Sequence, residues 1–461
     1  MKRLLFVIIF AFTFVNASLT ADFTWNPHNP TDLQNVHFYD ASSGDIVAWL
    51  WYFGDGNAST ERNPVHRYMD DGNYTVRLVV IDINGSIAIK EKIINISNVP
   101  PVAIAGKNII SNSLSVEFNA SLSYDLDGYI VKYVWEFGDG VYSYGEVLKH
   151  TYAKEGLYSV NLTVYDDDDA FDVDSIKALV DITPPVTNYS LESIKEWYVK
   201  MVNITLNATD NLAGVNETFY RIDDNWIKYN GSFGIDKEGI NKVYFYSIDK
   251  AGNVEKEKNI TVKIDKTPPV TNYSIEGKKG KNKWFVSSIK IKFSSKDNLS
   301  GVNYTMYKIN HGDWKKYEKA INLSSNGEHK IYFYSIDKAG NVEKEKNITV
   351  KIDTKKPSVK INLPEEGYIY IAGRRIMPTF FGKTYIIGKF EAVATANDTT
   401  SGIDYVEFIL NNEILWRDYV KPYKTYLPQE IPFSKNVLKV VAYDKAGNNA
   451  ESKEIEYIKI I

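Results

Sequence analysis

The 461-residue chain contains no cysteine and only six histidines. Without cysteine there can be no disulfide, no thiolate metal site and no cysteine nucleophile. The 54 Lys and Arg residues nearly balance the 58 Asp and Glu residues, so the basic surface typical of a nucleic-acid-binding protein is absent and no nucleic-acid partner is expected. The sequence also lacks the motifs of zinc peptidases, serine hydrolases and phosphate-binding loops. We therefore expect a protein that is not an enzyme.

Long apolar segments are scarce as well. One apolar run, residues 4–15, follows Met1, Lys2 and Arg3 and precedes small residues that end at Ala17 and again at Ala21. This order is typical of a secretory signal, and the run is shorter than the roughly 20 residues that span a bilayer. We predict a signal peptide over residues 1–21, a secreted or cell-surface location, and no transmembrane span beyond the signal. An uncleaved signal anchor is the alternative.

Asn-X-Ser/Thr triplets are abundant, with eighteen between Asn57 and Asn397. Such triplets accept N-linked glycans in exported proteins, although Asn, Ser and Thr are also common in β-turns. We predict a glycoprotein, and the candidate glycosylation sites include Asn57, Asn73, Asn161, Asn203, Asn259 and Asn347.

The aromatic residues that are present, 33 Tyr and 21 Phe among them, fall into internal repeats. The segment at residues 51–56 recurs at residues 135–140, an offset of 84. A second, unrelated block of 22 identical residues occupies residues 244–265 and residues 332–353, an offset of 88. A further repeat follows Pro357 because the turn signals beginning at Asp398 and Asp444 repeat those of the second block. Constant offsets indicate duplicated domains.

Proline residues mark the boundaries between these repeats. Within the repeats apolar residues alternate with polar ones, as a half-buried strand requires. The sequence predicts an all-β protein, a tandem array of about five Ig-like β-sandwich domains. The predicted domains are residues 22–98, 99–181, 182–265, 266–353 and 354–461, after the signal at 1–21.

The first two repeats share a detailed motif. It reads W-x-F-G-D-G, then His-x-Tyr, then Gly-x-Tyr-x-Val-x-Leu-x-Val. The large apolar side chains supply core, and the glycines allow a turn with positive φ. Residues 22–181 therefore resemble the polycystic-kidney-disease (PKD) domain, which implies an extracellular, non-catalytic spacer or interaction module. The structural-motif residues are Trp51, Phe53, Gly54, Asp55, Gly56, Trp135, Phe137, Gly138, Asp139 and Gly140.

A D-x-D-G turn in the second repeat contains Asp125 and Asp127, and the first repeat lacks it. The resemblance to PKD domains implies that this turn can bind calcium, whereas the residues alone, two carboxylates and a backbone oxygen, favour turn caps. No other cofactor is expected. The acidic run at residues 166–169 is predicted to lie on a hairpin loop, as a solvated loop or a weak calcium site.

The last three repeats carry an Asp-Lys-Ala-Gly-Asn signal at Asp249, Asp337 and Asp444, which predicts a hairpin turn capped by the aspartate. These repeats resemble Ig-like repeats of bacterial and archaeal surface proteins. The cysteine-free composition, rich in Lys, Ile and Asn, favours an archaeal source. Trp226 and Trp314 occupy matching positions, as do Trp197 and Trp284, and we expect all four in the cores.

The sequence predicts a non-catalytic extracellular structural or adhesive protein, acting through its PKD and Ig-like domains. The expected partners are extracellular or cell-envelope proteins or glycans. The alternative is a carbohydrate-binding accessory protein of a secreted hydrolase system.

Overall fold

The computed structural model describes residues 18–429 and 431–460. In this part of the chain the strands form tandem sheets whose pairs are mostly antiparallel, which confirms the predicted all-β array of Ig-like sandwiches. Among the same residues no helix is long and apolar enough to cross a membrane. The predicted signal peptide, residues 1–21, lies largely outside the described residues. Leu19 and Ala21 nevertheless pack against the core of the first domain, and Thr20 pairs with Ser43, so the first domain starts before residue 22.

The first domain consists of two sheets around one core. One sheet has the strand order β1-β2-β5 and the other β4-β3-β6-β7. Val76, Leu78 and Val80 alternate along the long strand and are fully buried. The strands are β1 (Phe23–Asn26), β2 (Val36–Asp40), β3 (Ile46–Tyr52), β4 (Ala58–Ser59), β5 (Val65–His66), β6 (Gly72–Asp82) and β7 (Ile87–Ile96).

The second domain repeats this plan with sheets β11-β10-β13-β14-β8 and β12-β9. Its core again contains a fully buried tryptophan, Trp135. The strands are β8 (Ile109–Ser111), β9 (Ser115–Asn119), β10 (Ile130–Glu136), β11 (Tyr142–Tyr144), β12 (Val147–Thr151), β13 (Gly156–Asp166) and β14 (Phe171–Val180).

The third repeat contains the antiparallel pairs β16–β19, β17–β18 and β17–β20. Its strands are β15 (Val186–Leu191), β16 (Val202–Thr209), β17 (Val215–Arg221), β18 (Ile227–Lys228), β19 (Phe233–Ile235), β20 (Gly239–Asp249) and β21 (Lys258–Ile264).

The fourth repeat has sheets β22-β24-β27 and β23-β29-β28-β25-β26. Its strands are β22 (Val270–Glu276), β23 (Trp284–Phe285), β24 (Ile289–Lys296), β25 (Val302–Ile309), β26 (Lys315–Lys316), β27 (Ile321–Leu323), β28 (Gly327–Asp337) and β29 (Lys346–Ile352).

The fifth repeat is larger. A sheet of order β30-β34-β37 accompanies a sheet of order β32-β31-β33-β40-β38-β35-β36, with β39 paired to β38. Its strands are β30 (Ser358–Leu363), β31 (Tyr368–Ile371), β32 (Arg374–Pro378), β33 (Thr384–Ile387), β34 (Glu391–Asn397), β35 (Ile403–Leu410), β36 (Glu413–Asp418), β37 (Tyr423–Tyr426), β38 (Ser434–Asp444), β39 (Asn449–Glu451) and β40 (Ile455–Lys459).

All five domains share one strand register, which the two families of sequence repeat do not reveal. In each domain an aliphatic residue that begins one strand pairs with an aspartate that ends the long central strand, and the register shifts immediately afterwards at a β-bulge. The five pairs are Ile46–Asp82, Ile130–Asp166, Val215–Asp249, Val302–Asp337 and Ile403–Asp444.

The W-x-F-G-D-G motif builds a compact turn at the core edge of each of the first two domains. Trp51 is fully buried and its indole N–H donates to the carbonyl of Glu61. Asp55 bonds His66 at 2.7 Å, and the His66 ring stacks on Phe53. The second copy repeats these contacts through Asp139, His150 and Phe137. The aspartate and histidine side chains therefore have their partners within their own domain.

Gly54 provides a matched test of this turn. Gly54 has φ of +92°, and a Cβ there would lie 2.8 Å from the carbonyl oxygen of Thr75, whereas a Cβ on Gly56, at φ of +95°, would meet open space. Gly54→Ala should destabilise the first domain by about 3 kcal/mol, and Gly56→Ala by about 1 kcal/mol. Differential scanning calorimetry of both variants measures the difference. Equal losses would contradict the packing argument.

Candidate functional site

The hairpin aspartate of each domain caps its turn, as the Asp-Lys-Ala-Gly-Asn signal predicts. One carboxylate oxygen of Asp249 accepts bonds from the amides of Gly252 and Asn253 at 2.7 and 2.9 Å. Asp337 and Asp444 repeat this geometry. Of the Gly-Asn pair in each signal, only the glycine takes positive φ. The asparagine instead uses its side chain, which donates to the second carboxylate oxygen.

The acidic run at residues 166–169 lies on the β13–β14 hairpin, as predicted. Asp166 is buried, and both of its carboxylate oxygens are hydrogen-bonded. One oxygen accepts the amides of Asp168 and Ala170, and the other accepts the side-chain amide of Asn98. Asn98 lies in the segment that joins the two domains. The run is therefore a hairpin cap that also contacts the preceding domain, rather than four equally solvated charges.

Three carboxylate clusters repeat at the joints between later domains. The carboxylate oxygens of each cluster lie within 4.8 Å of one another, and the clusters are Asp181, Asp210 and Asp249; Asp265, Asp297 and Asp337; and Asp353, Asp398 and Asp444. Each cluster joins three segments. The first aspartate is the last residue of one domain, the second begins a D-x-x-x-G loop of the next domain, and the third is the hairpin aspartate of that next domain.

Backbone and asparagine side-chain donors contact each of these clusters. Asp265 accepts the amide of Ser300, and its backbone carbonyl accepts the side-chain amide of Asn341. Asp297 accepts the amides of Leu299 and Gly301. The spacing suits a cation. The N–H donors offset part of the repulsion, although burial raises the pKa of Asp444 and Oδ1 of Asp210 is buried without a donor. These clusters act as hydrogen-bonded joints.

Asp125 and Asp127, the predicted calcium ligands, lie at the joint between the first two domains. Asp125 occupies the place of Asp210, five residues before the bulge, but neither of its buried carboxylate oxygens has a hydrogen-bond partner. Asp127 accepts the amide of Val99 with one oxygen, and its other oxygen is buried without a donor.

Asp32 completes this joint and was not identified from the sequence. It belongs to the first domain, is 6% exposed, and its Oδ1 is buried without a donor. Burial, with the adjacent carboxylate of Asp127, raises the pKa of Asp32 to about 6. Arg67 lies beside Asp32 but donates to its backbone carbonyl. Oxygen-only ligands of this kind suit a hard divalent cation such as Ca²⁺.

The recurring tryptophans do not lie in the cores, so that expectation is wrong. Trp226 is 37% exposed, packs edge-on against Tyr246, and has the guanidinium of Arg221 over its ring. Trp314 is half-buried in the same arrangement, with Lys308 over its ring. Trp197 and Trp284 are also half-buried. Alternation with a period of two is compatible with an aromatic residue on either face of a sheet, so it does not show which face is buried.

The candidate glycosylation sites differ in accessibility. Asn57, Asn73, Asn259 and Asn347 are exposed. Asn161 and Asn203 are half-buried, and their side-chain amides donate to Glu136 and Glu192 respectively. Glycan attachment at these residues stays a prediction.

The geometry defines the class of the protein as a tandem array of Ig-like β-sandwiches with acidic joints. Residues 18–96 and 98–180 each match the family model of the PKD domain, so the chain contains two PKD domains. The resemblance found in the W-x-F-G-D-G motif is confirmed.

Curated relatives match part of the chain. Pre-pro-metalloprotease PrtV of Vibrio cholerae is 33% identical over 136 residues, 30% of this chain and 15% of the relative. Collagenase ColQ1 of Bacillus cereus is 38% identical over 76 residues, 16% of this chain and 8% of the relative. The chain thus covers a small fraction of the length of these relatives.

Solved structures also match the chain, with low TM-scores. The PKD1 domain of Vibrio anguillarum Epp is 33% identical, with 19% of this chain and all of that chain covered and a TM-score of 0.18. The immunoglobulin domains 1–5 of Sidekick-1 are 9% identical, with 95% and 99% covered and a TM-score of 0.26.

Asp32 predicts a pH dependence in the presence of a chelator. Its folded pKa of about 6 exceeds the ordinary value of 3.8, so the folded state binds the proton more tightly than the unfolded state. The resulting stability is fully present below about pH 4 and is lost as the pH rises through 6. The melting temperature of the PKD pair should therefore fall over this range, and Asp32→Asn should flatten the decline. Calorimetry with chelator measures it, with the exposed Asp313→Asn as control. An unchanged slope in Asp32→Asn would contradict the assignment.

Proposed function

We propose that this chain is a non-catalytic extracellular protein, secreted or held at the cell surface, that acts as a structural or adhesive spacer. Its PKD and Ig-like domains would hold contact surfaces for cell-envelope proteins or glycans. The observation that carries the proposal is the repeated joint: the last residue of one domain is bonded by the same donors of the next domain three times along the chain.

The joint between the fourth and fifth domains illustrates this arrangement. The carboxylate of Asp353 accepts the amide of Ser401 at 3.1 Å, and its backbone carbonyl accepts the side-chain amide of Asn448 at 3.0 Å. Asp353 is fully buried. A buried, fully bonded residue at a domain boundary restricts the relative motion of the two domains, as a spacer requires.

The placement of the acidic and basic side chains supports a non-catalytic role. The carboxylates at the later joints are capped by backbone amides, and the His66 and His150 rings are held between an aspartate and aromatic rings. A general acid or base needs access to a substrate proton. These groups instead complete turns and cores, which is the behaviour expected of a spacer.

The order of residues at the N-terminus and the density of Asn-X-Ser/Thr triplets support export of the chain. Mass spectrometry of the protein recovered from its native host tests this part of the proposal. We expect a processed N-terminus at or before residue 22 and glycans on exposed sites such as Asn57 and Asn259. Recovery of an unprocessed, unmodified chain from the cytoplasm would contradict it.

The stiffness of the joint can be measured by pulsed electron–electron resonance, because a chain without cysteine accepts two spin labels cleanly. Labels at Lys319→Cys and Glu454→Cys report on the fourth and fifth domains, and we expect one narrow distance distribution. Asp353→Ala should broaden it, because the joint loses a carboxylate that accepts an amide of the next domain.

The control for this experiment is Asp313→Ala, which removes one exposed aspartate from the fourth domain without touching the joint. Its distribution should match that of the labelled parent. A broad distribution in the parent, or an unchanged width in Asp353→Ala, would contradict the spacer proposal.

A second candidate function is carbohydrate binding as an accessory of a secreted hydrolase system. The observation that favours it is the partial exposure of Trp226 and Trp314 at matching positions, since partly exposed aromatic rings can stack on sugars. A glycan array tests it: selective binding that is lost in Trp226→Ala or Trp314→Ala, with melting unchanged, would support it. The control is Trp416→Ala, an exposed tryptophan outside this pair. Absence of selective binding would contradict the carbohydrate-binding function and leave the spacer role as the proposal.

A further inference from the structure

The fifth domain contains a hairpin, β31–β32, that the fourth domain does not have. In both domains a short strand pairs in parallel with the last strand, β23 with β29 and β33 with β40. The fourth domain reaches its short strand through residues 277–283, whereas the fifth domain reaches it through residues 364–383, which include the hairpin. The hairpin is therefore an addition to the shared plan, and additions of this kind commonly carry function.

This added segment presents apolar side chains to solvent. Phe380 is 100% exposed and Phe381 is 90% exposed. Ile376 and Met377, on the edge strand β32, are each more than half exposed. Single exposed apolar residues are ordinary on a protein surface, but four of them within six positions are characteristic of an interaction surface.

The Phe380–Phe381 loop is held at its base by hydrogen bonds. The amide of Thr379 donates to the carbonyl of Gly367 at 2.7 Å, and the amide of Gly367 donates to Oγ1 of Thr384 at 2.9 Å. A Cβ on Gly367 would lie 3.4 Å from Cα of Gly382, so the two ends of the loop also pack together. The two phenylalanines therefore project from a loop of defined shape.

The charges of this segment have one sign. Residues 367–390 contain no Asp or Glu and four basic residues, which are Arg374, Arg375, Lys383 and Lys389. The acidic residues that precede the segment are paired, Glu365 with Arg375 and Glu366 with Lys453. The other three basic residues of the segment have no acidic partner within residues 18–429 and 431–460, and we call them the unpaired cations.

The unpaired cations lie near both ends of β32. Lys383 follows the phenylalanine loop at one end, and Arg374 begins the strand at the other. Lys389 is close to the Arg374 end, because a Cβ on Gly373 would lie 3.8 Å from its carbonyl oxygen. Five residues of strand separate the two ends by roughly 17 Å. An exposed strand with positive charge at each end suits a flat anionic surface.

Exposed aromatic rings beside unpaired cations fit a partner that is anionic outside and apolar within. Basic residues alone on an edge strand would be explained as protection against edge-to-edge pairing, but that explanation leaves Phe380 and Phe381 without a purpose. An anionic lipid bilayer offers phosphates to the cations and acyl chains to the rings. A second copy of this chain suits the segment less, because a symmetric contact would bring like charges together.

We propose that the fifth domain binds an anionic lipid bilayer through residues 367–390. Phe380 and Phe381 enter the boundary between head groups and acyl chains, while the unpaired cations contact lipid phosphates. The binding is peripheral and reversible, because two aromatic side chains bury far less apolar surface than a spanning helix. This proposal goes beyond the spacer role, and vesicle binding can be measured whether or not the chain is exported.

Flotation of the full chain with lipid vesicles tests the proposal. Vesicles of phosphatidylcholine with about 30% phosphatidylglycerol supply the anionic surface, and phosphatidylcholine alone is the neutral comparison. We expect an apparent Kd at least about tenfold lower for the anionic vesicles, because each basic residue near such a surface strengthens binding by about fivefold. Raising the NaCl concentration should weaken the binding by screening.

The decisive variant replaces both rings, Phe380→Ser together with Phe381→Ser. Because these side chains are exposed, folding should be unaffected, and an unchanged melting temperature checks this. We expect the apparent Kd for anionic vesicles to rise by at least about tenfold, since the apolar burial of two rings is lost. The matched control is Val420→Ser, which removes an apolar side chain that is 71% exposed in the same domain, and it should match the parent.

A second variant separates charge from apolar burial. The triple substitution Arg374→Gln, Lys383→Gln and Lys389→Gln should remove the preference for anionic over neutral vesicles. Because the chain has no cysteine, an environment-sensitive fluorophore can be attached to Phe380→Cys alone. Its emission should rise on anionic vesicles and be quenched by nitroxide-labelled acyl chains, whereas the same fluorophore at Asp313→Cys should not respond.

Four results would overturn the proposal. These are no flotation of the parent with anionic vesicles, equal flotation of the parent and the double phenylalanine variant, and a fluorophore at position 380 that stays in water on the bound chain. The fourth is a dimer that is lost in the phenylalanine variant while no vesicle binding occurs, which would assign the surface to a second copy of the chain. None of these outcomes bears on the joint at Asp353, so the spacer proposal stands or falls separately.

Discussion

Each domain of this chain depends on one hydrogen-bonded carboxylate, the aspartate that ends the long central strand. Its side chain closes the hairpin by accepting two backbone amides, as Asp82 does from Asn84 and Ser86 in the first domain. The same residue pairs across the sheet at the bulge, so it fixes turn and register together. In the last three domains this hairpin faces the preceding domain, so the residue that closes the turn also builds the joint.

The number of N–H donors that face the carboxylates of a joint decides how well their negative charges are stabilised. At the later joints each carboxylate faces backbone amides or an asparagine side chain, and several negative charges can lie together because the donors stabilise them. At the PKD joint Oδ1 of Asp32, Oδ1 of Asp127 and both carboxylate oxygens of Asp125 are buried without a donor, and burial raises the pKa of Asp32 to about 6. The same arrangement of loops therefore produces joints that differ in how fully their carboxylates are hydrogen-bonded, by the exchange of a few residues.

Much of the fold could be predicted from the sequence, because its signals are local. Alternating burial, the hairpin turns and the W-x-F-G-D-G turn each depend on residues within about ten positions of one another. The constant offsets between repeats then indicate that similar domains follow one another along the chain. Asp32 escaped prediction for the opposite reason: its partners are distant in sequence, and the first repeat carries no D-x-D-G pattern to mark it. The tryptophans were misplaced because alternation defines two faces without saying which is buried.

A chain without disulfides must stabilise its domains by other long-range links, and buried carboxylates supply them. In the fourth domain Glu343 is buried and accepts the amide and hydroxyl of Thr271, 72 positions earlier, and the amide of Ser335. Burial alone would raise the pKa of Glu343, but hydrogen bonds from Lys346 and Thr271 outweigh it and hold the pKa below its usual value. The charged form is therefore the stable one, and this link persists until the pH falls through that lowered pKa. Glu255 and Thr187 form the same link in the third repeat. A hydrogen-bonded carboxylate thus joins strands within a domain by the same chemistry that joins one domain to the next.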